Sequence, residues 1–387
     1  MLIEYLLSKR RKKELFHFNE AVANINVGIG ERLADMLTTG AFFYVFTWVH
    51  DQFALFQFST GWITWVLLFL LTDLLWYWYH RFGHEVNLFW SAHVVHHQSD
   101  DYNYTVSARI TVFQAVARGL FWAILPFIGF DPKMITMLLL IHGAYPFFTH
   151  TQLIGKLGWI EYVFVTPSHH RVHHSSNTIY LDKNYGDVLI IWDKLFGTFV
   201  EETEEPVYGL TKPLNSHSFL WQHFHFLLEM AVAFKKVDSL SQKLKVVFGK
   251  PDNIDPRIRT LLEKKLLPRT EQVEQTLFLR RFIGTQTVLT LILLFFFVLF
   301  EHYFNGWQLL IGTIFILLSS ISTGAMIEQK KWVFYLDFSR LTLIGAFVFS
   351  FYPSVFLLNT LVIALLVVLL YYRSIQNRYV QVLYNYA

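Results

Sequence analysis

Between residues 288 and 300 the chain reads VLTLILLFFFVLF, a run without a single charge, and stretches of this kind recur along its length. The hydrocarbon core of a bilayer is about 30 Å thick, which a helix crosses with about 20 mostly apolar residues. No water is available there for the backbone, so long apolar runs cross as helices that satisfy their own N–H and C=O groups. Eight runs have suitable length, at about residues 40–58, 61–79, 110–130, 134–150, 282–300, 307–326, 332–351 and 354–372. The expectation is an all-α integral membrane protein with about eight transmembrane helices. Composition agrees, with 54% hydrophobic residues and only 16% charged, where a soluble domain carries ~25% charged.

The turns GFDPK, EHYFNG and FYPS carry Gly, Asp, Asn and Pro, which suit tight connections between spans. Basic residues collect on one side of this arrangement. KRRKK at 9–13, Arg280, Arg281, Lys330, Lys331, Arg373 and Arg378 all fall on the same predicted face, and EHYFNG and FYPS on the other contain no Lys or Arg. The positive-inside rule makes the first face cytosolic. The apolar run that precedes KRRKK is too short for a signal-peptide core, so no cleavage is expected. Net charge is only +3, with no basic stripe, and no nucleic-acid partner is expected. The simplest partition has a basic interfacial segment at 1–39, a membrane module at 40–215, interfacial or linker helices at 216–277 and a four-helix transmembrane bundle at 278–387. Within the linker, FKKVDSLSQKLK and RIRTLLEKKLLPR alternate apolar and basic positions, as amphipathic interfacial helices do.

Histidine is the chemically conspicuous residue. Segments at the ends of the second and fourth runs read WYWYHRFGHEVNLFWSAHVVHHQSDDYN and TPSHHRVHH, and both emerge on the predicted cytosolic face. Residues i and i+4 share a helix face. His80 therefore pairs with His84, His93 with His97 and with His96 at i+3, and His170 with His173 and His174. Thr166 and Pro167 suit the N-cap and first position of the last helix. Eight clustered imidazoles exceed the four ligands of a closed structural zinc site, so two metal ions are implied. Zero cysteines leave nitrogen and oxygen as the ligand atoms. His50, His142, His217 and His302 lack partner spacing and read as core or interfacial residues. Asp73 lies inside an apolar run, two turns before His80 on the same face, where it suits an acceptor for an imidazole N–H or a helix-packing acid. His169, beside the last cluster, suits the same orienting task, and Asp182, Asn184, Asp187 and Asp193 are polar groups able to brace the site or to line a solvated loop.

HRFGH, HVVHH and HRVHH resemble the HxxxH, HxxHH and HxxHH boxes of the fatty acid hydroxylase and sterol desaturase superfamily of membrane di-iron enzymes. Longer stretches, FTHTQLIGKLGWIEYV, TPSHHRVHHSSN and DKNYGDVLIIWDKLFGTF, are similar to the alkylglycerol monooxygenase branch, over about residues 73–213. The resemblance implies that His80, His84, His93, His96, His97, His170, His173 and His174 hold two iron ions, and that His150 in FTHTQ joins them. It also aligns Glu85 with an acidic position of the branch. O2 is the implied oxidant, a membrane lipid the substrate, and tetrahydrobiopterin the reductant of that branch. No haem motif, Gly-rich dinucleotide turn or iron-sulfur ligand set is visible, so an external electron donor is expected.

Several readings stay open at this point. Cleaving an inert lipid C–H bond needs a redox metal, which iron supplies and zinc does not. A sterol or fatty acyl hydroxylase or desaturase with a protein electron donor is the nearest alternative. A zinc-dependent membrane hydrolase would need far fewer ligands and a general base, and a metal transporter would place ligands near the bilayer midplane. The host membrane is either the endoplasmic reticulum or a bacterial inner membrane.

Overall fold

The computed structural model describes residues 1–267 and 273–384. The last two residues of RIRTLLEKKLLPR, at 268 and 269, lie outside the described residues. Among the described residues there is no strand, only two isolated bridges, Phe164 to Leu189 and Ser175 to Tyr208. The chain divides into two compact units, Met1–Asn215 with Gln222–Leu266, and Ser216–Trp221 with Leu267–Ala387.

In the first unit a 36-residue helix, Phe18–Phe53, precedes the 24-residue helix Trp62–Glu85. The latter starts at extended Gly61, contains no helix-breaking residue through its apolar length, and stops where Val86 turns extended (φ −128°, ψ 120°). The chain restarts at once as Asn87–His93, with Asn87 anchored by its N–H to Gly249 O (2.8 Å) and by its side-chain amide to Val246 O (2.9 Å). A single turn therefore folds His93 back onto the helix end that bears His80 and His84. Asn87–His93 tightens into a 3-10 turn, Val94–His97, rather than continuing as one α-helix.

Helix Pro132–Thr149 is started by Asp131, whose carboxylate accepts from Lys133 N (2.8 Å) and Met134 N (3.2 Å), with Pro132 at the first position. The preceding Gly129 has φ 121°, and a Cβ there would meet Phe56 O at 2.0 Å, so this turn requires glycine. Phe46, Leu68, Trp122, Leu125, Ile135 and Leu138 form a buried cluster that joins these helices beneath the histidines.

Five helices among the described residues have the length and apolarity to cross a bilayer: Trp62–Glu85, Leu277–Leu299, Gly306–Ile327, Val333–Phe351 and Val355–Tyr384. The other three expected spans take different forms for visible reasons. Residues 40–58 are largely the second half of a helix that also carries Glu20, Glu31, Arg32, Asp35 and Asp51. The run 110–130 is divided into Gln114–Trp122 and Ile124–Ile128. Pro132–Thr149 is apolar but has 18 residues and includes Lys133, His142 and Pro146.

The second unit holds the last four of the five spans. Thr276 caps the first through Leu279 N (3.1 Å), and Asn305 with Gln308 forms a reciprocal capping box on the second. Asp337, one turn into helix Val333–Phe351, accepts from Ser322 Oγ (2.6 Å), Arg340 Nη1 (2.8 Å) and Tyr379.

Candidate metal centre

Nine histidines converge in the first unit as two groups. His80, His84, His93, His97 and His173 form one, and His96, His150, His170 and His174 the other, with ligand atoms inside each group within 4.8 Å of one another. The grouping follows helix arithmetic. Each i, i+4 pair, His80 with His84, His93 with His97 and His170 with His174, stays in one group, because four residues return nearly to the same face. Consecutive residues are about 100° apart on a helix. Each HH pair is therefore split: His96 and His174 face the four-histidine group while His97 and His173 face the five-histidine group. His97 and His174 stack at 4.4 Å between ring centroids and link the two.

Hydrogen bonds assign the ring protons. Nδ1 of His80 donates to Tyr185 O (2.8 Å), that of His96 to Arg109 O (3.1 Å), that of His150 to Pro146 O (2.6 Å) and that of His173 to Lys183 O (3.0 Å). A carbonyl oxygen only accepts, so Nδ1 carries the proton and Nε2 a bare lone pair in each neutral ring. Yet His96 Nε2 lies 3.2 Å from His150 Nε2, lone pair against lone pair. His150 Nε2 also faces His170 Nε2 (3.1 Å) and His174 Nε2 (3.2 Å), and His80 Nε2 faces His93 Nε2 (3.0 Å). The tautomers of His93, His170 and His174 are not fixed by a carbonyl in this way, but the His96–His150 contact is repulsive unless a cation lies between the two nitrogens. With metal–nitrogen bonds of about 2.1 Å, two imidazoles at 90° to 109° around one ion have nitrogens roughly 3.0–3.4 Å apart. The donor set thus fits a metal ion in each group. His84 Nε2 and His173 Nε2 are buried without any hydrogen-bond partner, as ligand atoms should be.

Burial, and then the neighbouring imidazoles, hold His93, His96, His97, His170, His173 and His174 well below the usual histidine range. Burial alone pushes His150 down to about 4. Neutral rings are the form that binds metal.

A second layer orients these rings. Arg109 is wholly buried and donates to Val95 O (2.8 Å), Asn24 Oδ1 (2.9 Å) and Gln98 Oε1 (2.7 Å), which locks the turn that carries His96 and His97. Arg171 pairs with Glu202 through two nitrogens (2.7 and 2.6 Å) and donates to Thr151 O and Ile154 O, joining the His170 helix to the segment after His150. Asp182 Oδ1 sits 3.6 Å from His84 Nδ1. Asp193 gathers Tyr185 N, Gly186 N and Thr198 Oγ1 (2.7, 2.7 and 2.6 Å), and Asn184 bonds His169 O, Val200 O and Val200 N. Asn184 and Asp193 thus brace the site from a buried position, whereas Asp182 is half exposed to solvent.

Asp73, His142 and Asp187 form a third buried group. Asp73 approaches no histidine of the two main groups' hydrogen-bond network; its oxygens accept from Val188 N (3.0 Å), Leu189 N (3.1 Å) and Trp192 Nε1 (2.9 Å), with His142 Nδ1 at 3.7 Å. His142 is far from an isolated core residue, since its Nδ1 lies 2.6 Å from Asp187 Oδ2. Here Asp73 is met by N–H donors and ties helix Trp62–Glu85 to the 187–192 segment as a latch, while Asp187 Oδ1 and His142 Nε2 are buried without a hydrogen-bond partner. Glu85 stays outside both histidine groups, paired with Arg81 at 2.9 Å and partly exposed. His169 is buried, but its ring packs edge-on against Phe199 and its Nδ1 reaches no histidine. Arg109 carries no sequence signal, standing in SARIT ahead of an apolar run.

Apolar helices that embed two adjacent polyhistidine groups define a membrane protein of the histidine-box class, with a site able to bind metal. Residues 65–198 match the fatty acid hydroxylase family. An alkylglycerol monooxygenase of Danio rerio is 32% identical over 338 residues, 84% of this chain and 74% of that protein. The Homo sapiens alkylglycerol monooxygenase is 36% identical over 254 residues, 65% of this chain and 57% of its own length. An ornithine lipid hydroxylase of Rhizobium tropici is 28% identical over 121 residues, 31% of this chain and 37% of that protein. No solved structure matches. The chain belongs to the fatty acid hydroxylase family, in its alkylglycerol monooxygenase branch, and so to a group of oxidoreductases.

Proposed function

We propose that the protein is a membrane-bound, O2-dependent lipid monooxygenase whose two histidine groups each hold one iron ion. The observation that carries this reading is the pair of carbonyl-bonded rings, His96 and His150, whose Nε2 atoms face each other at 3.2 Å. When bound, a pair of iron ions would activate O2 with electrons delivered by an external donor, the chemistry that hydroxylation of an inert C–H bond needs. The chain's own residues hold that pair: His80, His84, His93, His97 and His173 for one ion, His96, His150, His170 and His174 for the other. Carbonyls of Tyr185, Arg109, Pro146 and Lys183 fix four of those rings with Nε2 inward.

By analogy with the alkylglycerol relatives, the substrate is an ether lipid. Hydroxylation beside the ether oxygen gives a hemiacetal, which separates into an aldehyde and a free alcohol. One atom of O2 enters the lipid and the other leaves as water, with two electrons from an external donor, tetrahydrobiopterin on the same analogy. A sterol or fatty acyl hydroxylase or desaturase differs in substrate and donor but not in the centre. A zinc hydrolase fits less well, since neither histidine group includes a carboxylate as general base. We place the centre on the cytosolic side of the endoplasmic reticulum or a bacterial inner membrane, with KRRKK, and take residues 40–215 as the di-iron hydroxylase module.

Metal analysis of anaerobically purified protein should find close to two irons per chain. Incubation with an alkylglycerol, reductant and 18O-labelled O2 should place label in the aldehyde before exchange. One tightly bound zinc, inert to O2 and reductant, would reject the di-iron reading. For orientation, exposed Ser241→Cys in this cysteine-free chain should label from the cytosolic side alone.

A further inference from the structure

We propose that the Tyr185 hydroxyl is the hydrogen-bond donor to a small exchangeable ligand, water or an anion, held at the five-histidine centre; this rests on the metal-binding reading above. Tyr185 is fully buried, and its ring lies 5.3 Å from that of His84, 5.9 Å from His80 and 6.1 Å from His173, all members of that group. Its oxygen has no hydrogen-bond partner. Burying a hydroxyl with nothing to bond is costly, and native interiors rarely tolerate it without a water or ligand in place. The ring has little freedom to seek a partner elsewhere, because the residue is pinned on both sides. Its N–H donates to Asp193 Oδ1 (2.7 Å) and its carbonyl accepts from His80 Nδ1 (2.8 Å).

The neighbouring unpartnered atoms, His84 Nε2 and His173 Nε2, are accounted for by a metal ion. The phenol is different. An ordinary phenol titrates at about 10, so at neutral pH it is an O–H group, a hydrogen-bond donor and a poor metal ligand. Other aromatic hydroxyls close to the site are already committed: Tyr102 donates to Thr149 O (3.1 Å), and Tyr77 bonds Thr198 Oγ1 (3.0 Å) and accepts from Arg81 (3.2 Å). Tyr102 is the tyrosine stacked on His150, and among the described residues Tyr185 alone has a buried, unpartnered phenol. The arrangement therefore makes the two centres unequal and puts the exchangeable position on the five-histidine side, where the Tyr185 hydroxyl stabilises whatever negative charge the bound ligand carries.

The test uses full-length protein in detergent, loaded with cobalt(II) and titrated with azide by visible absorption. Tyr185→Phe should keep the wild-type cobalt content and bind azide about 10-fold or more weakly, the loss typical of a charge-assisted hydrogen bond. Tyr180→Phe, which removes another buried hydroxyl, bonded instead to Glu204 O, should bind azide as the wild type does. Unchanged azide affinity in Tyr185→Phe would overturn the proposal, leaving that phenol to a stray water. So would loss of cobalt from Tyr185→Phe, which would make the residue a ligand or a structural support, or a wild-type centre that takes cobalt but not azide. A wild-type protein that takes up no metal would instead reject the metal-binding reading itself.

Discussion

Asp73→Asn keeps the shape of a wholly buried side chain and removes its charge. Oδ2 accepts from both Leu189 N (3.1 Å) and Trp192 Nε1 (2.9 Å), and Oδ1 from Val188 N (3.0 Å). The best orientation of the amide keeps its oxygen on the first two donors and sets its NH2 against Val188 N. Hydrogen bonds to a charged group contribute about 1.5–3 kcal/mol and neutral ones about 0.5–1.5, so two bonds weaken by about 1 kcal/mol each and one buried N–H goes unmet at about 1–3 kcal/mol. The sum is about 3–5 kcal/mol against the 187–192 loop. That loop continues from Lys183 and Tyr185, whose carbonyls orient His173 and His80. Both rings belong to the five-histidine group, whereas His96 and His150 are oriented by Arg109 and Pro146, away from the loop. Chelator competition on metal-loaded protein should therefore resolve two sites in Asp73→Asn. The five-histidine site should be weakened by the 10-fold to 100-fold typical of a lost outer-shell partner, and the other left unchanged. Exposed Asp51→Asn should change neither. Equal weakening of both sites, or of none, would refute the latch argument.

His150→Ala should leave three imidazoles in the four-histidine group and lower metal content from two ions to one per chain, measured by elemental analysis. Arg109→Met removes a buried guanidinium that holds three acceptors, and should cost about 3 kcal/mol, read as a lower unfolding midpoint in detergent. Acid should destabilise the metal-free protein first. His150 is held at about 4 by burial against an ordinary 6.5, so below pH 6.5 the unfolded chain binds the extra proton and stability falls with pH down to about 4. That one ring accounts for about 3 kcal/mol over the window, the six rings shifted in the same direction add to it, and bound metal should move the transition to lower pH.

Which histidines come together was legible because helices leave a period in sequence. His80 with His84, His93 with His97 and His170 with His174 follow from i, i+4 spacing, and the structure keeps each pair together. The eight apolar runs were legible from composition and length, yet among the described residues five helices are long and apolar enough to cross, because ionisable residues, a break and a proline-bearing helix intervene in the other three. Pairing across the fold was not legible. His170 and His173 share spacing, but the 100° between His173 and His174 sends His173 to the other group. His142 shows no partner within its own helix and meets Asp187 45 residues on, and Asp73 finds Val188 across 115. Such contacts depend on where a loop is carried by the rest of the chain, which local periodicity does not encode. The latch's Val188 and Leu189 and the carbonyls of Lys183 and Tyr185 that orient His173 and His80 sit on one segment, so it couples packing of the apolar helices to the five-histidine group. The four-histidine centre takes its carbonyls from Arg109 and from Pro146 at a helix end. Two centres built from the same boxes thus stand on different supports, and a perturbation of that loop should separate their affinities even though their histidines alternate in sequence.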